Sequence, residues 1–384
     1  MRIVQANAVY DRAAKTPAAL LDSYRTLTEW SDAVTTAGAS VAVVQRFHTN
    51  ASVEHNGTTY QFVTDTLTPW LSTSGAPKAF IDAIVAQSPD VVHVNGLIFP
   101  ALIAGLRAAL PRVAIVAQHH GGEFPIRGSG LVGWWQQRKW RAGLASADAL
   151  SFTAREQAEP WRAAGVIGDQ RIIEIVEAST TLRTVERDRA RFTSRSPVIL
   201  WVGRLTTNKD PLTVLDGLER ALPKLPEAQV LMIFSDEALL PAVDDRVRAS
   251  GVLRDRVTLN GHVARDEMPS FYGAADVFVS GSHSEGSGYA LIEAMSAGVV
   301  PVVTDIPSFR VITGDCGARW SPGNPQQFVD ALLRVCERDL GPQKLAARDR
   351  FARELSWDAI GRRTVSEYQI IRLKPDATPD PTGT

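Results

Sequence analysis

The chain has 384 residues, 45% hydrophobic and 22% charged, the balance of a soluble globular protein with enough length for two cored domains. Its 41 Lys and Arg nearly cancel its 42 Asp and Glu, which excludes a global basic field for holding nucleic acid or an anionic membrane. Two cysteines, Cys316 and Cys336, stand in no metal-like spacing and exclude a disulfide framework, so a reducing, cytoplasmic setting is expected.

Met1–Tyr10 reads as a short strand-like run, not a charged leader, and no run approaches membrane-spanning length. Arg2–Ala6 is predicted as a strand, Pro17–Thr36 as one helix and Ser40–Gln45 as a second strand. Ser52–Thr64 reads as a hairpin, because Asn56-Gly57 supplies the two positive-φ positions of a tight turn. A helix over Pro77–Gln87, a strand over Asp90–Val94, a helix over Phe99–Leu110 and a strand over Val113–Ala117 follow. Such alternation implies parallel pairing with right-handed crossovers, and chemistry beyond the carboxyl ends of the strands.

Two strand ends carry polar residues where that chemistry belongs, His93-Val94-Asn95-Gly96 and Gln118-His119-His120-Gly121-Gly122-Glu123. His93 reads as a residue packed beneath a loop. At the second end the glycines allow a ligand to approach. Either His120 or His119 faces it, since adjacent side chains on a strand point to opposite faces.

Leu131–Ser146 sets Trp134, Trp135 and Trp140 beside Arg138, Lys139 and Arg141. An interfacial membrane helix combines such residues. The favoured expectation is an amphipathic helix that buries its tryptophans against the sheet and solvates its arginines. Asp148–Phe152 and Arg171–Val176 continue the strand pattern, and residues 181–196, rich in Arg, Thr and Ser, read as a linker.

Pro197–Val202 restarts the alternation and leads into Gly203-Arg204-Leu205-Thr206-Thr207-Asn208-Lys209-Asp210. A glycine bend followed by two cations around a helix start can place both on one diphosphate. Val257–Val263 reads as a strand and loop, Glu267–Val279 as a short helix followed by a strand. Gly281–Asp305 then carries Glu285 and Glu293 with seven residues between them, a Gly286-Ser287-Gly288 turn, and an apolar helix over Tyr289–Ala297. Gly298 and a strand over Val299–Val303 follow. The helix start offers backbone N–H groups to an anion, and the two carboxylates flank it. One anion pocket with two carboxylates suits a sugar nucleotide. Gly314–Pro322 and Pro325–Cys336 read as a closing strand and helix, and a last helix begins near Ser356-Trp357-Asp358.

The Glu-x7-Glu stretch SEGSGYALIEAMSAGVVPVV, preceded by Gly203-Arg204-Leu205 and Lys209-Asp210, resembles the signature of retaining glycosyltransferase family 4. It departs from the usual pattern at Ser287, where an aromatic is common, and in the loop Asn7–Arg12, which lacks the glycines many members have after the first strand. The resemblance implies an α/β GT-B fold, two Rossmann-like domains facing a central cleft. Residues 1–180 would form the acceptor-side domain, completed by a C-terminal helix over about 357–373 that crosses back to it, with the donor domain at 197–356 and a disordered tail at 374–384.

It further implies that Glu293 binds ribose hydroxyls and Glu285 hydroxyls of the transferred sugar. The amides of Gly286, Ser287, Gly288, Tyr289, Ala290 and Leu291, with Gly203, Arg204 and Lys209, would surround the diphosphate. His262 would lie near the base, and His120, by its following Gly121, best matches the family histidine that faces the donor sugar. No cofactor or metal is expected, because two cations and a helix end do a metal's work. The acceptor is a sugar, glycan or small molecule, with membrane association disfavoured. A non-catalytic sugar-nucleotide-binding protein, or a GT-B epimerase or phosphorylase, is the alternative; the joint presence of Arg204, Lys209, Glu285 and Glu293 favours the transferase.

Overall fold

In the computed structural model, which describes residues 1–65, 75–121, 130–182 and 196–373, the backbone divides into two units. One comprises Met1–Ile175 with Ile360–Thr384, the other Val176–Ala359. Gly122, Glu123, most of the expected linker and the expected tail lie outside the described residues.

The first unit contains β1 (Arg2–Asn7), β2 (Ser40–Arg46), β3 (Ala51–His55), β4 (Thr58–Val63), β5 (Val91–Val94), β6 (Ala114–Gln118), β7 (Ala149–Phe152) and β8 (Arg171–Glu174). They form one sheet in the order β3-β4-β2-β1-β5-β6-β7-β8, parallel except where β3 meets β4. The β3–β4 turn is made by Asn56 and Gly57 at φ 49° and 76°, as the hairpin reading required. Apolar runs such as Val91-Val92 and Ala114–Ala117 are buried, as befits strands covered on both faces.

The second unit contains β9 (Val198–Gly203), β10 (Gln229–Phe234), β11 (Val257–Gly261), β12 (Val277–Ser280), β13 (Val300–Thr304) and β14 (Ala318–Trp320). Its sheet is wholly parallel, in the order β11-β10-β9-β12-β13-β14. Numbered within the unit this is 3-2-1-4-5-6, the doubly wound order whose strand sequence reverses between β9 and β12. A ligand crevice belongs at that reversal, beyond the carboxyl ends of those two strands.

Two helices depart from expectation. The helix read over Pro17–Thr36 is two, Pro17–Ser23 and Arg25–Thr36. Tyr24 leaves helical geometry at φ −113°, ψ 58°, and its hydroxyl donates to Asp11 at 3.1 Å. The tryptophans of Gly130–Leu144 are not all buried: Trp140 packs on the core, while Trp134 and Trp135 are exposed. Gly133, Trp140 and Leu144 share the core-facing side at helical spacing, which turns positions 134 and 135 away from it.

The C-terminal helix Trp357–Arg372 places Ile360, Thr364, Tyr368 and Ile371 on the first unit's core at helical spacing. Gly361 permits this approach, because any Cβ there would run into the Ala33 carbonyl. His93 is buried under this helix and not beneath a loop, hydrogen-bonded through Nδ1 to the Tyr368 hydroxyl at 2.5 Å.

Burial, reinforced by repulsion from His120, pushes the His93 imidazole down to about 3. An unfolded histidine titrates near 6.5, so the folded value is the depressed one. The stability tied to neutral His93 is therefore intact above about pH 6.5 and is lost as pH falls toward 3, at no more than about 1.4 kcal/mol per pH unit. Thermal unfolding between pH 7 and 4 should show a steeper decline for the native chain than for His93→Gln. Equal slopes would contradict this reading.

Candidate functional site

The crevice is built by the two loops that leave β9 and β12. After Gly203, the Thr206 carbonyl accepts N–H groups from Lys209 and Asp210 at 3.1 and 3.2 Å, folding the segment into a tight turn. Asp210, at φ 43°, caps the helix Pro211–Ala221 by accepting the Thr213 N–H at 3.2 Å.

Asn208 fastens this turn to the loop after β12. Its amide donates to the Ser284 carbonyl at 2.9 Å and accepts the Ser284 N–H at 3.1 Å, while its own carbonyl accepts from His283 N–H at 2.8 Å. His283 Nε2 adds a contact to the Asp210 carboxylate at 3.0 Å. The consequence is that Lys209 Nζ and the Glu285 carboxylate meet as an ion pair, with side chains 19% and 13% exposed. Asn208→Ala removes both side-chain bonds, each worth about 1 kcal/mol. Turnover should fall at least tenfold and the melting temperature by several degrees; steady-state kinetics with wild-type values would show that the turn holds without the amide.

Gly288 caps the helix Tyr289–Ser296 at φ 62°, a backbone state that suits glycine, and a Cβ there would lie 2.7 Å from the Phe309 ring. Hydrogen bonding inside this helix begins with Leu291 N–H to the Gly288 carbonyl at 3.0 Å. The preceding amides are the first-turn donors that a helix cannot satisfy from within.

Glu293 lies farther along the same helix. The buried Tyr272 hydroxyl donates to its carboxylate at 2.8 Å. Burial, then the charge of Glu293, pushes the Tyr272 hydroxyl well above its ordinary value, so it remains a donor. One carboxylate oxygen is thereby oriented by a rigid neighbour.

These elements enclose a cavity of about 530 Å³. Gly203, Arg204, Lys209, His262, Glu285, Gly288, Tyr289, Ala290, Leu291 and Glu293 line it, together with Ser235, Arg265 and Phe309. Gly286 and Ser287 do not; Ser287 is buried, and its hydroxyl donates to the Glu177 carboxylate. Asn208 and Tyr272 carry no sequence signal of their own, since each acts through a partner far along the chain, and Arg265 stands in neither motif stretch.

The two remaining candidate histidines, His119 and His120, belong to the first unit. His119 is half-buried, stacked on Phe152 with ring centroids 4.9 Å apart, and its Nδ1 accepts the Gly121 N–H at 3.2 Å. His120 is exposed, and its Nε2 donates to the Asn95 side-chain oxygen.

Comparison with known proteins agrees with this geometry. Residues 196–338 match the family model described as glycosyl transferases group 1. The GDP-mannose:cellobiosyl-diphosphopolyprenol alpha-mannosyltransferase of Xanthomonas campestris is 26% identical over 296 residues, covering 75% of this chain and 76% of its own. The D-inositol 3-phosphate glycosyltransferase of Xylanimonas cellulosilytica is 30% identical over 252 residues, covering 60% and 59%. Among solved structures, Anabaena Alr3699/HepE in complex with UDP superposes with a TM-score of 0.67 at 15% identity, covering 96% of this chain and all of its own. The second unit thus carries the glycosyl transferases group 1 domain, and the chain is a glycosyltransferase of the GT-B fold.

Proposed function

We propose that the chain transfers a sugar from a nucleoside-diphosphate sugar to its acceptor, with retention of anomeric configuration and without a metal ion. The observation that carries this reading is one cavity lined by three cations (Arg204, Lys209 and Arg265), two carboxylates and the first turn of the Tyr289–Ser296 helix. Two relatives support the donor class: that of Xanthomonas is named for GDP-mannose, and the Anabaena structure holds UDP.

In this reading Glu293 accepts from the ribose hydroxyls and His262 lies beside the base. Arg204, Lys209 and the amides of the helix start hold the diphosphate. Glu285 accepts from hydroxyls of the transferred sugar. As the bond from the anomeric carbon to the phosphate oxygen breaks, negative charge grows on the diphosphate, where prearranged cations and dipoles act most strongly. The acceptor oxygen bonds to the anomeric carbon on the face the diphosphate leaves, and its proton passes to a phosphate oxygen. No protein nucleophile is needed. Of His119 and His120, His120 is the one whose exposure suits a ligand-facing role.

The cations replace a metal in neutralising the leaving group. Activity toward the productive donor, found by screening UDP, GDP and ADP sugars for diphosphate release, should survive excess chelator. Complete loss on chelation, restored by Mg²⁺ or Mn²⁺, would contradict the metal-free mechanism.

A further inference from the structure

The helix Gly130–Leu144 separates its residues by face. Gly133, Trp140 and Leu144 turn inward, Trp140 lying 5.8 Å from Trp161 between ring centroids, and Gln137 donates to the Ala164 carbonyl. The other face holds Trp134 and Trp135, 46% and 61% exposed, with exposed Arg138, Lys139 and Arg141 beside them. The two indoles meet edge-on with centroids 5.1 Å apart, and the Arg138 guanidinium sits 5.0 Å from the Trp134 ring centroid. No acidic residue occurs between Gly130 and Leu144, although the chain as a whole carries a net charge of −1.

We propose that this face docks on the surface of an anionic phospholipid bilayer. Adjacent solvent-exposed indoles are an apolar patch that a soluble surface rarely keeps without use. Indoles settle at the headgroup level, and cations beside them meet lipid phosphates. Charge complementarity selects the occupant. A second copy of the chain is disfavoured, because a two-fold pairing of this face would bring the same three cations together. Among the described residues no helix is long and apolar enough to cross a membrane, so this face contacts the bilayer from its surface. The surface serves to hold the enzyme where a lipid-borne acceptor would lie, but it does not depend on the donor chemistry proposed above.

Flotation of the full chain with vesicles tests it. The chain should float with vesicles of phosphatidylcholine plus phosphatidylglycerol, and much less with phosphatidylcholine alone or in high salt. Replacing Arg138, Lys139 and Arg141 by Gln should lower partitioning roughly 100-fold at low salt, about fivefold per charge. The double variant Trp134→Ala, Trp135→Ala should lower it roughly tenfold. It should also lose the fluorescence quenching that brominated lipids cause in the native chain. Circular dichroism and thermal unfolding should match the native chain in both, which shows that they fold. Absence of flotation with anionic vesicles overturns the proposal. So does flotation unchanged in both variants, or a dimer in solution that the tryptophan substitutions dissociate.

Discussion

Arg204→Ala and Lys209→Ala are each expected to lower kcat/KM by about 10²–10³-fold, the loss typical when one preorganised charge-stabilising donor is removed. The reason lies in when the contact is made. Both side chains line the cavity at the helix start, and their attraction for the diphosphate strengthens as the glycosidic bond breaks. The two variants should differ in stability. Arg204 is exposed, so its loss leaves the fold unchanged. Lys209 is the ion-pair partner of Glu285, and removing it takes the cation from a largely buried carboxylate. Thermal unfolding should register that cost, and adding Glu285→Gln to Lys209→Ala should recover stability without recovering turnover. Wild-type kinetics in both single variants would remove the diphosphate clamp from the mechanism.

The second expectation separates the two glutamates. Removing a carboxylate that accepts a hydroxyl hydrogen bond costs about 1.5–3 kcal/mol, or roughly 10- to 150-fold. Glu293 is held within the helix and oriented by Tyr272, and it is assigned to the ribose, which the diphosphate alone possesses. Glu293→Gln should therefore weaken free diphosphate and intact donor alike. Glu285 is assigned to the sugar, which the free diphosphate lacks. Its substitution also releases Lys209 toward the phosphates, so diphosphate affinity should hold or rise while sugar transfer falls. Calorimetric titration beside donor kinetics distinguishes the two. If Glu285→Gln loses diphosphate affinity as far as Glu293→Gln does, the division of roles fails.

Local signals carried much of this architecture. Asn56-Gly57 dictates its own turn, and the short β-branched apolar run at Val198–Trp201 fits an interior strand. The two motif stretches were legible because glycines, charges and apolar periodicity occur together in them. What escaped depends on distant partners. Leu20, Leu27 and Val34 keep one helical phase straight through Tyr24, so periodicity could not reveal the break there. The Trp134 and Trp135 indoles look like core residues by composition, and only the packing of Trp140 against Trp161 shows which indole the core has room for. The Asn208 fastening and the Tyr272 support join residues 76 and 21 positions apart, a relation that only the parallel sheet creates.

The central claim is that the cavity beyond β9 and β12 holds a nucleoside diphosphate. A crystal structure of the chain soaked with the diphosphate that most raises its melting temperature tests this most directly. The phosphates should lie on the first-turn amides of the Tyr289–Ser296 helix, within hydrogen-bond reach of Arg204 and Lys209, with ribose hydroxyls on Glu293. A diphosphate bound elsewhere, or bound here with its ribose away from Glu293, would contradict the account.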